Sequence, residues 1–567
     1  MSDESHKMID FKDITYTRPN LDEFRKCVQA TRLKLMSARD PEVATNALLE
    51  FEKMEMHLDT QYALVNILHD LDTSNQYYAD EVEYCDEIMA QASELSSAVS
   101  AVLLSSPCAD ALREKFGDML FLKAQNLKDT VSNAVVDELI QESSLENDYS
   151  QIQSEAEIEI DGKVYNLSQL DPLLESTDRD ERIKVHKAVD DYYMSKMETF
   201  DKIYDDLVRV RTSCAHKLGY KNFTELGYKR MERYDYTRED VERFREAVIK
   251  YIVPITVKIR ELQKERLEVE ELMFYDLPCI FKNGNPKPSV KLEEYKETVG
   301  KVFSSVLGGS PSFFDVLSEH GYTDLFTRKS KAPGGYCMYL EDYAIPFIFM
   351  NANCTADDVS TAVHEGGHAY AAIKSAEVSQ FAELLSPTLE TCEIHSTAME
   401  YLTYNFMEGF YGDNAENYRD LHMTQALLFI PYGCMVDEFQ HIIYDRPELT
   451  PEERHGVWKN LEQKYQPFIN YDNHPFHELG GAWMKKDHIF TSPFYYIDYC
   501  LAQICALELW EESQTDFKTA LIKYNQLCEC GGTKTFLEIL KGAGLESPFD
   551  VDVIKRLAYR ACVFLEL

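Results

Sequence analysis

Basic residues are scarce. The chain carries 58 Lys+Arg against 98 Asp+Glu, for a formal net charge of -40 and a pI of about 4.7. Nucleic-acid affinity rests on Lys and Arg displacing counterions from phosphates, and anionic membrane surfaces select the same residues, so the composition argues against both partners. Glycine and proline are also sparse, 23 and 19 of 567 residues, which leaves little material for long linkers. One large body of two or three lobes fits better than a string of domains. The opening MSDESHKMIDFKDITYTRPN lacks the basic start and apolar stretch of a signal peptide. No later stretch approaches the roughly 18–20 apolar residues of a membrane helix, and the expectation is a cytoplasmic protein. There is no C-x-x-C: the tight pair Cys528 and Cys530 is C-x-C with no second pair to complete a zinc site. The 14 cysteines are spread from Cys27 to Cys562, the pattern of reduced thiols in a chain large enough to fold without cross-links.

What is present is globular, with 45% hydrophobic, 28% charged and 12% aromatic residues. LDEFRKCVQATRLKLMSA and ADEVEYCDEIMAQASELSSAVSAVLL carry apolar residues at three- and four-residue spacing with few breakers, so a helical amino-terminal lobe is expected over 1–200. Within it EAEIEIDGKVYNLSQL alternates around Asp161-Gly162 and predicts a short hairpin near 155–167. The remainder, 201–567, is expected to hold the chemistry. Its extended stretch KAPGGYCMYLEDYAIPFIFMNANC predicts a small β ribbon, and Pro346 inside it argues for an edge strand. Such an edge can take an extended peptide by main-chain hydrogen bonding, which makes Gly335 and Tyr336 candidate substrate contacts.

The segment TADDVSTAVHEGGHAYAAIKS is the most informative. Thr355 suits an N-cap, Asp357 and Asp358 suit the positive end of the helix dipole, and the periodic run reaches about Ser375. His364 and His368 are four residues apart, hence on one helical face, where two imidazoles can share a metal ion. Glu365 beside the first ligand can reach a water held by that metal, as a general base. Gly366 and Gly367 sit mid-helix, where each costs about 1 kcal/mol relative to Ala, and imply close approach of another backbone or a ligand. A third ligand is required. A helix predicted from Ser386-Pro387 offers Glu390, Glu393 and Glu400 in one stripe, and spacing alone leaves all three open.

The motifs GGYCMYLEDYAIPFIFMNANCTADDVSTAVHEGGHA, ETCEIHSTAMEYL, NHPFHELGGAW, HIFTSPFYYIDY, GGTKTFLEILKGAGLESPF and the opening FKDITYTRP together resemble the oligoendopeptidase F branch of the thimet oligopeptidase family of zinc metallopeptidases. The resemblance is diffuse in the amino-terminal lobe and dense from Gly334 onward. It implies a mainly α, two-lobed metallopeptidase with a deep central channel and one zinc ion per chain. The implied substrates are short unfolded oligopeptides. The family's third ligand is a glutamate 25 residues beyond the second histidine, which selects Glu393. Glu400, two turns on, is then a candidate to hold a ligand imidazole. The family's histidine followed by spaced tyrosines points to His488, Tyr496 and Tyr499 as groups that stabilise the oxyanion, with Tyr495 as the substitute for Tyr496 because the gap differs by one residue. Gly366 departs from the family, where larger residues are common, and bears on packing behind the metal.

His474 and His477, in a loop rich in glycine and aromatics, are further candidate substrate contacts. His395 points about 160° away from Glu393 around its helix and is not expected to share the metal. Cys392 or Cys354 as a nucleophile lacks the cysteine-peptidase signatures. The expected activity is zinc-dependent cleavage of internal peptide bonds. A helical metallocarboxypeptidase and a catalytically silent peptide-binding protein are the alternatives, and the sequence leaves the oligomeric state open.

Overall fold

The computed structural model describes residues 8–352, 355–379 and 381–567; Cys354 lies outside them. The chain is mainly helical, as expected, and divides into two compact units. Unit one comprises Met1–Val131, Lys287–Ala415 and Glu512–Leu545; unit two comprises Ser132–Pro286, Glu416–Glu511 and Glu546–Leu567. The helix Arg179–Lys217 runs straight through position 200.

Unit one begins with helices Leu21–Ser37, Pro41–Leu71, Gln76–Ser105 and Asp118–Thr130. Asn20, Asp40 and Asn75 accept hydrogen bonds from the first-turn N–H groups of the first three, which satisfies donors that a helix start leaves orphaned. Contrary to the sequence expectation, one helix among the described residues, Gln76–Ser105, is long and apolar enough by length and composition to cross a membrane. In this fold its apolar positions pack against Leu21–Ser37, Pro41–Leu71 and Asp118–Thr130. The described cysteines are all free.

Among the described residues five strands interrupt the helices: β1 (Ile158–Ile160), β2 (Lys163–Tyr165), β3 (Thr323–Phe326), β4 (Tyr336–Leu340) and β5 (Ile345–Ala352). β1 and β2 form the expected antiparallel hairpin in unit two, with Asp161 and Gly162 at positive φ. In unit one the order is β3-β5-β4, β3 parallel and β4 antiparallel to β5. Pro346 therefore lies on the central strand and not on an edge. It is accommodated because β3 pairs with β5 only from Ile348 onward, so the missing N–H leaves no ladder bond unmade. The edge strands are β3 and β4, and β4 begins one residue after Gly335 and packs against the helix Ala356–Ser375.

Candidate active site

The helix Ala356–Ser375 begins and ends where the sequence predicts. The Thr355 side chain accepts from the Asp358 N–H at 3.4 Å, and Asp358 Oδ2 accepts from the Thr355 N–H at 2.7 Å, a reciprocal capping box. Its partner helix, Leu389–Leu402, starts two residues later than Pro387 suggests. The Ser386 carbonyl is pressed against Gly532, and Thr388 is still extended.

The mid-helix glycines explain how closely these two helices approach. A Cβ on Gly367 would lie 2.6 Å from the His395 carbonyl oxygen and 2.8 Å from Ser396 Cα. A Cβ on Gly366 would lie 2.1 Å from Phe303 Cζ. One glycine thus admits the backbone of Leu389–Leu402, and the other admits the aromatic ring that fills the space behind the histidines. On the partner helix the acidic stripe is buried rather than solvated: Glu390 is 0%, Glu393 4% and Thr397 8% exposed.

The close crossing brings three donors together. His364 Nε2 is 3.3 Å and His368 Nε2 3.8 Å from Glu393 Oε2, and the candidate ligand atoms all lie within 4.8 Å of one another. Donors each about 2.1 Å from one tetrahedral zinc are spaced by roughly 3.4 Å, so this set fits a single ion. His364 Nδ1 is 2.7 Å from Glu400 Oε1. With Nδ1–H donated to that carboxylate, Nε2 keeps its lone pair for the side facing Glu393. Ser396 Oγ donates to Glu393 Oε2 at 3.2 Å. Burial opposes protonation of His364, yet hydrogen bonds to Glu393 and Glu400 hold its pKa well above the ordinary value. Burial pushes His368 down to about 4. His395 stands outside the group; its carbonyl accepts from Tyr524 at 2.9 Å.

Glu365 is 6% exposed. Burial raises its pKa, to about 7, with Glu393 and Glu400 adding repulsion against the pull of His364. A Cβ at Gly335 would meet Thr361 Cγ2 at 2.9 Å and Glu365 Oε1 at 3.8 Å, so the start of the β4 edge runs directly beside this carboxyl. Tyr336 stacks on Phe349 at 4.7 Å and donates its hydroxyl to Asp70 Oδ2 at 3.0 Å.

The second group of candidates lies in unit two. His488 Nδ1 is 2.8 Å from Asp487 Oδ1 and its Nε2 is 3.3 Å from the Tyr499 hydroxyl. The Tyr496 ring is 4.9 Å from His488 and 5.6 Å from Tyr499, while Tyr495 is 5.9 Å from His488 and 4.8 Å from Tyr499. Burial holds the Tyr496 phenol well above its usual pKa, hence protonated and able to donate. His474 and His477 are brought instead to the buried Asp190 carboxylate, at 3.6 and 3.0 Å, and His477 stacks on Tyr471 at 4.2 Å.

Residues 172–559 match peptidase family M3, and residues 11–131 match the peptidase M3 N-terminal domain. The chain belongs to peptidase family M3. The solved structure of PZ peptidase A with an inhibitor is similar at a TM-score of 0.95 and 39% identity, covering 98% of this chain and 99% of that one. Bacillus subtilis oligopeptidase PepF is 22% identical over 531 residues, 88% of this chain and 77% of its own. A Lactococcus lactis oligoendopeptidase F homolog is 22% identical over 385 residues, 66% of this chain and 61% of its own. These likenesses put the chain in the oligoendopeptidase F branch of family M3 and make it a peptidase acting on oligopeptides.

Two features of this M3 chain escape the sequence reading. Phe494, just before the tyrosines, has φ 70, a backbone conformation that costs a bulky residue about 1–3 kcal/mol. It is held from three sides: its N–H donates to Gln440 Oε1 at 2.7 Å, its carbonyl accepts from Arg233 Nη2 at 2.5 Å, and its ring occupies the space a Cβ at Gly227 would need. Arg233 also donates to Asp498 Oδ1 at 2.9 Å, between Tyr496 and Tyr499. Nothing in the local sequence couples residues 227, 233 and 440 to that turn.

The other is a knot of acids in unit one. Glu52, Glu55 and Glu383 bring carboxylate oxygens within 4.8 Å of one another. Nearby, burial and then repulsion from Glu383 push Asp59 up to about 7, and burial, Asp59 and Glu383 push Glu341 up to about 8. A carboxyl whose folded pKa exceeds its unfolded value of about 4 stabilises the fold fully only below that value, and the contribution is lost as pH rises through the folded pKa. Glu341→Gln removes the charge, so its Tm gain over the parent chain is expected to be small at pH 5 and to reach a few degrees at pH 8. A Tm difference that does not vary with pH would contradict this account.

Proposed function

We propose that this chain is a zinc-dependent endopeptidase that cuts internal bonds of short unfolded peptides in the cytoplasm, with one zinc ion per chain held by His364, His368 and Glu393. The observation that carries the reading is the convergence of two imidazole nitrogens and one carboxylate oxygen beside the buried Glu365. Zinc in that set would polarise the scissile carbonyl and acidify a water molecule. Glu365, poised near neutrality, takes the proton of the attacking water and returns it to the leaving amine. Glu400 fixes the His364 ring through Nδ1. Gly335 and Tyr336 offer substrate the main chain of a free strand edge. Tyr496 and Tyr499, with His488 and with Tyr495 as the alternative phenol, donate hydrogen bonds to the oxyanion that develops on the peptide carbonyl.

The ligand assignment is tested by metal content. Glu393→Ala is expected to lose most of its zinc, and Glu390→Ala to keep it; equal retention in elemental analysis refutes the choice of Glu393. The reaction is tested by mass spectrometry of peptides of 8–20 residues incubated with and without a chelator, a span chosen to be about that of a short unfolded substrate. Chelator-sensitive internal cuts support an endopeptidase. Single-residue ladders from the carboxyl end favour the carboxypeptidase, and no cleavage with zinc bound favours the silent binder.

A further inference from the structure

Lys486 stands next to the His488 and tyrosine cluster with its charge paired only loosely. Its ammonium lies 4.9 Å from the centroid of the Tyr496 ring, and its side chain is 25% exposed. The nearest carboxylate, Asp487 Oδ1, is 4.0 Å away, beyond hydrogen-bond range, and is already bonded to His488 Nδ1 at 2.8 Å. Among the described residues the Lys486 ammonium makes no hydrogen bond. The adjacent Lys485 is the opposite case, paired to the buried Asp190 carboxylate.

A partly desolvated cation without a hydrogen-bonded counter-charge gains from an anionic partner. The Tyr496 ring face offsets part of the desolvation and fixes the ammonium in place. Burial disfavours the charged form, and only Asp487 opposes that effect. In a chain of net charge -40, a cation left without a carboxylate at hydrogen-bond distance beside groups assigned to substrate is a receptor for an anion from outside.

We propose that Lys486 binds a carboxylate of the peptide substrate, either its terminal α-carboxylate or an acidic side chain. The inference rests on the reading of Tyr496 as a substrate-oxygen donor.

The test uses the full-length, zinc-loaded protein and three versions of one cleaved peptide: the free acid, the carboxyl-terminal amide, and the amide with a glutamate placed near the cut. Charged hydrogen bonds of this kind are worth roughly a tenfold change or more. Lys486→Met is expected to lower kcat/KM about tenfold more on a carboxylate-bearing peptide than on the neutral amide, mainly through KM, and Lys486→Arg to restore most of the discrimination. A differential confined to the free acid assigns the terminal carboxylate; one confined to the glutamate peptide assigns the side chain. A loss shared equally by all three peptides overturns the proposal. Tyr496→Phe, assayed on the neutral amide, tests the underlying reading separately: an unchanged rate removes the donor role without deciding the Lys486 differential.

Discussion

Glu365→Gln is expected to abolish most peptide cleavage, with kcat falling by about 10²–10⁴-fold, the usual contribution of a positioned general base. Glutamine keeps the volume and the buried position but has no electron pair basic enough to take a proton from water. Because burial already holds the Glu365 carboxyl up at about 7, the amide resembles the protonated acid that the folded chain tolerates, and stability is expected to be unharmed. Zinc content should also persist, since the proposed donors are His364, His368 and Glu393 and not Glu365. The measurement is a pair, turnover on an oligopeptide and zinc per chain. Wild-type turnover in the variant would remove Glu365 from the role of base, and low zinc would show that its carboxyl holds the ion.

The next largest effect is expected at Gly367. Its missing side chain lets the histidine helix touch the backbone of the glutamate helix, where an added methyl would meet the His395 oxygen at 2.6 Å and Ser396 Cα at 2.8 Å. Neither atom can rotate away, so Gly367→Ala must push the two helices apart, and Glu393 travels with the second. Overpacking of this kind costs about 1–3 kcal/mol, and a shift of even half an ångström spoils a donor set spaced at 3.3 and 3.8 Å. The expected result is a lower denaturation midpoint together with weakened zinc retention. Gly366→Ala is the control: its nearest obstacle is the Phe303 ring, a side chain and not backbone, so it should cost stability with less loss of metal. Full zinc retention and an unshifted midpoint in Gly367→Ala would show that the helix crossing does not set the donor spacing.

The contrast between what was and was not legible in the sequence follows from range. Local signals carried the histidine helix from Thr355 to Ser375, the Asp161-Gly162 hairpin and the reading of Gly366 and Gly367 as points of close approach, because caps, periodicity and turn chemistry act within a few residues. The choice among Glu390, Glu393 and Glu400 needed the family's spacing, since all three share one helical stripe. Pro346 misled because a strand's neighbours are set by partners distant in sequence: β3 covers β5 only beyond the proline. The start of the glutamate helix moved for the same reason, as Gly532 meets Ser386 from more than a hundred residues away. Lys486 gave no signal at all; a lysine becomes informative only when the acceptors around it can be counted.

The division of each unit into three separated stretches constrains how the polypeptide is born. By the time residue 415 has left the ribosome, both histidines and all three glutamates of the stripe exist as chain, yet the segment Glu512–Leu545 that completes their unit is still unmade. Domains generally fold as units during synthesis, and here the unit that holds the histidines and glutamates is not whole until Leu545 has been made. The His364, His368 and Glu393 group therefore sits in a unit whose folding waits on synthesis of the long Glu416–Glu511 stretch of the other unit, which couples the making of one half to that of its neighbour.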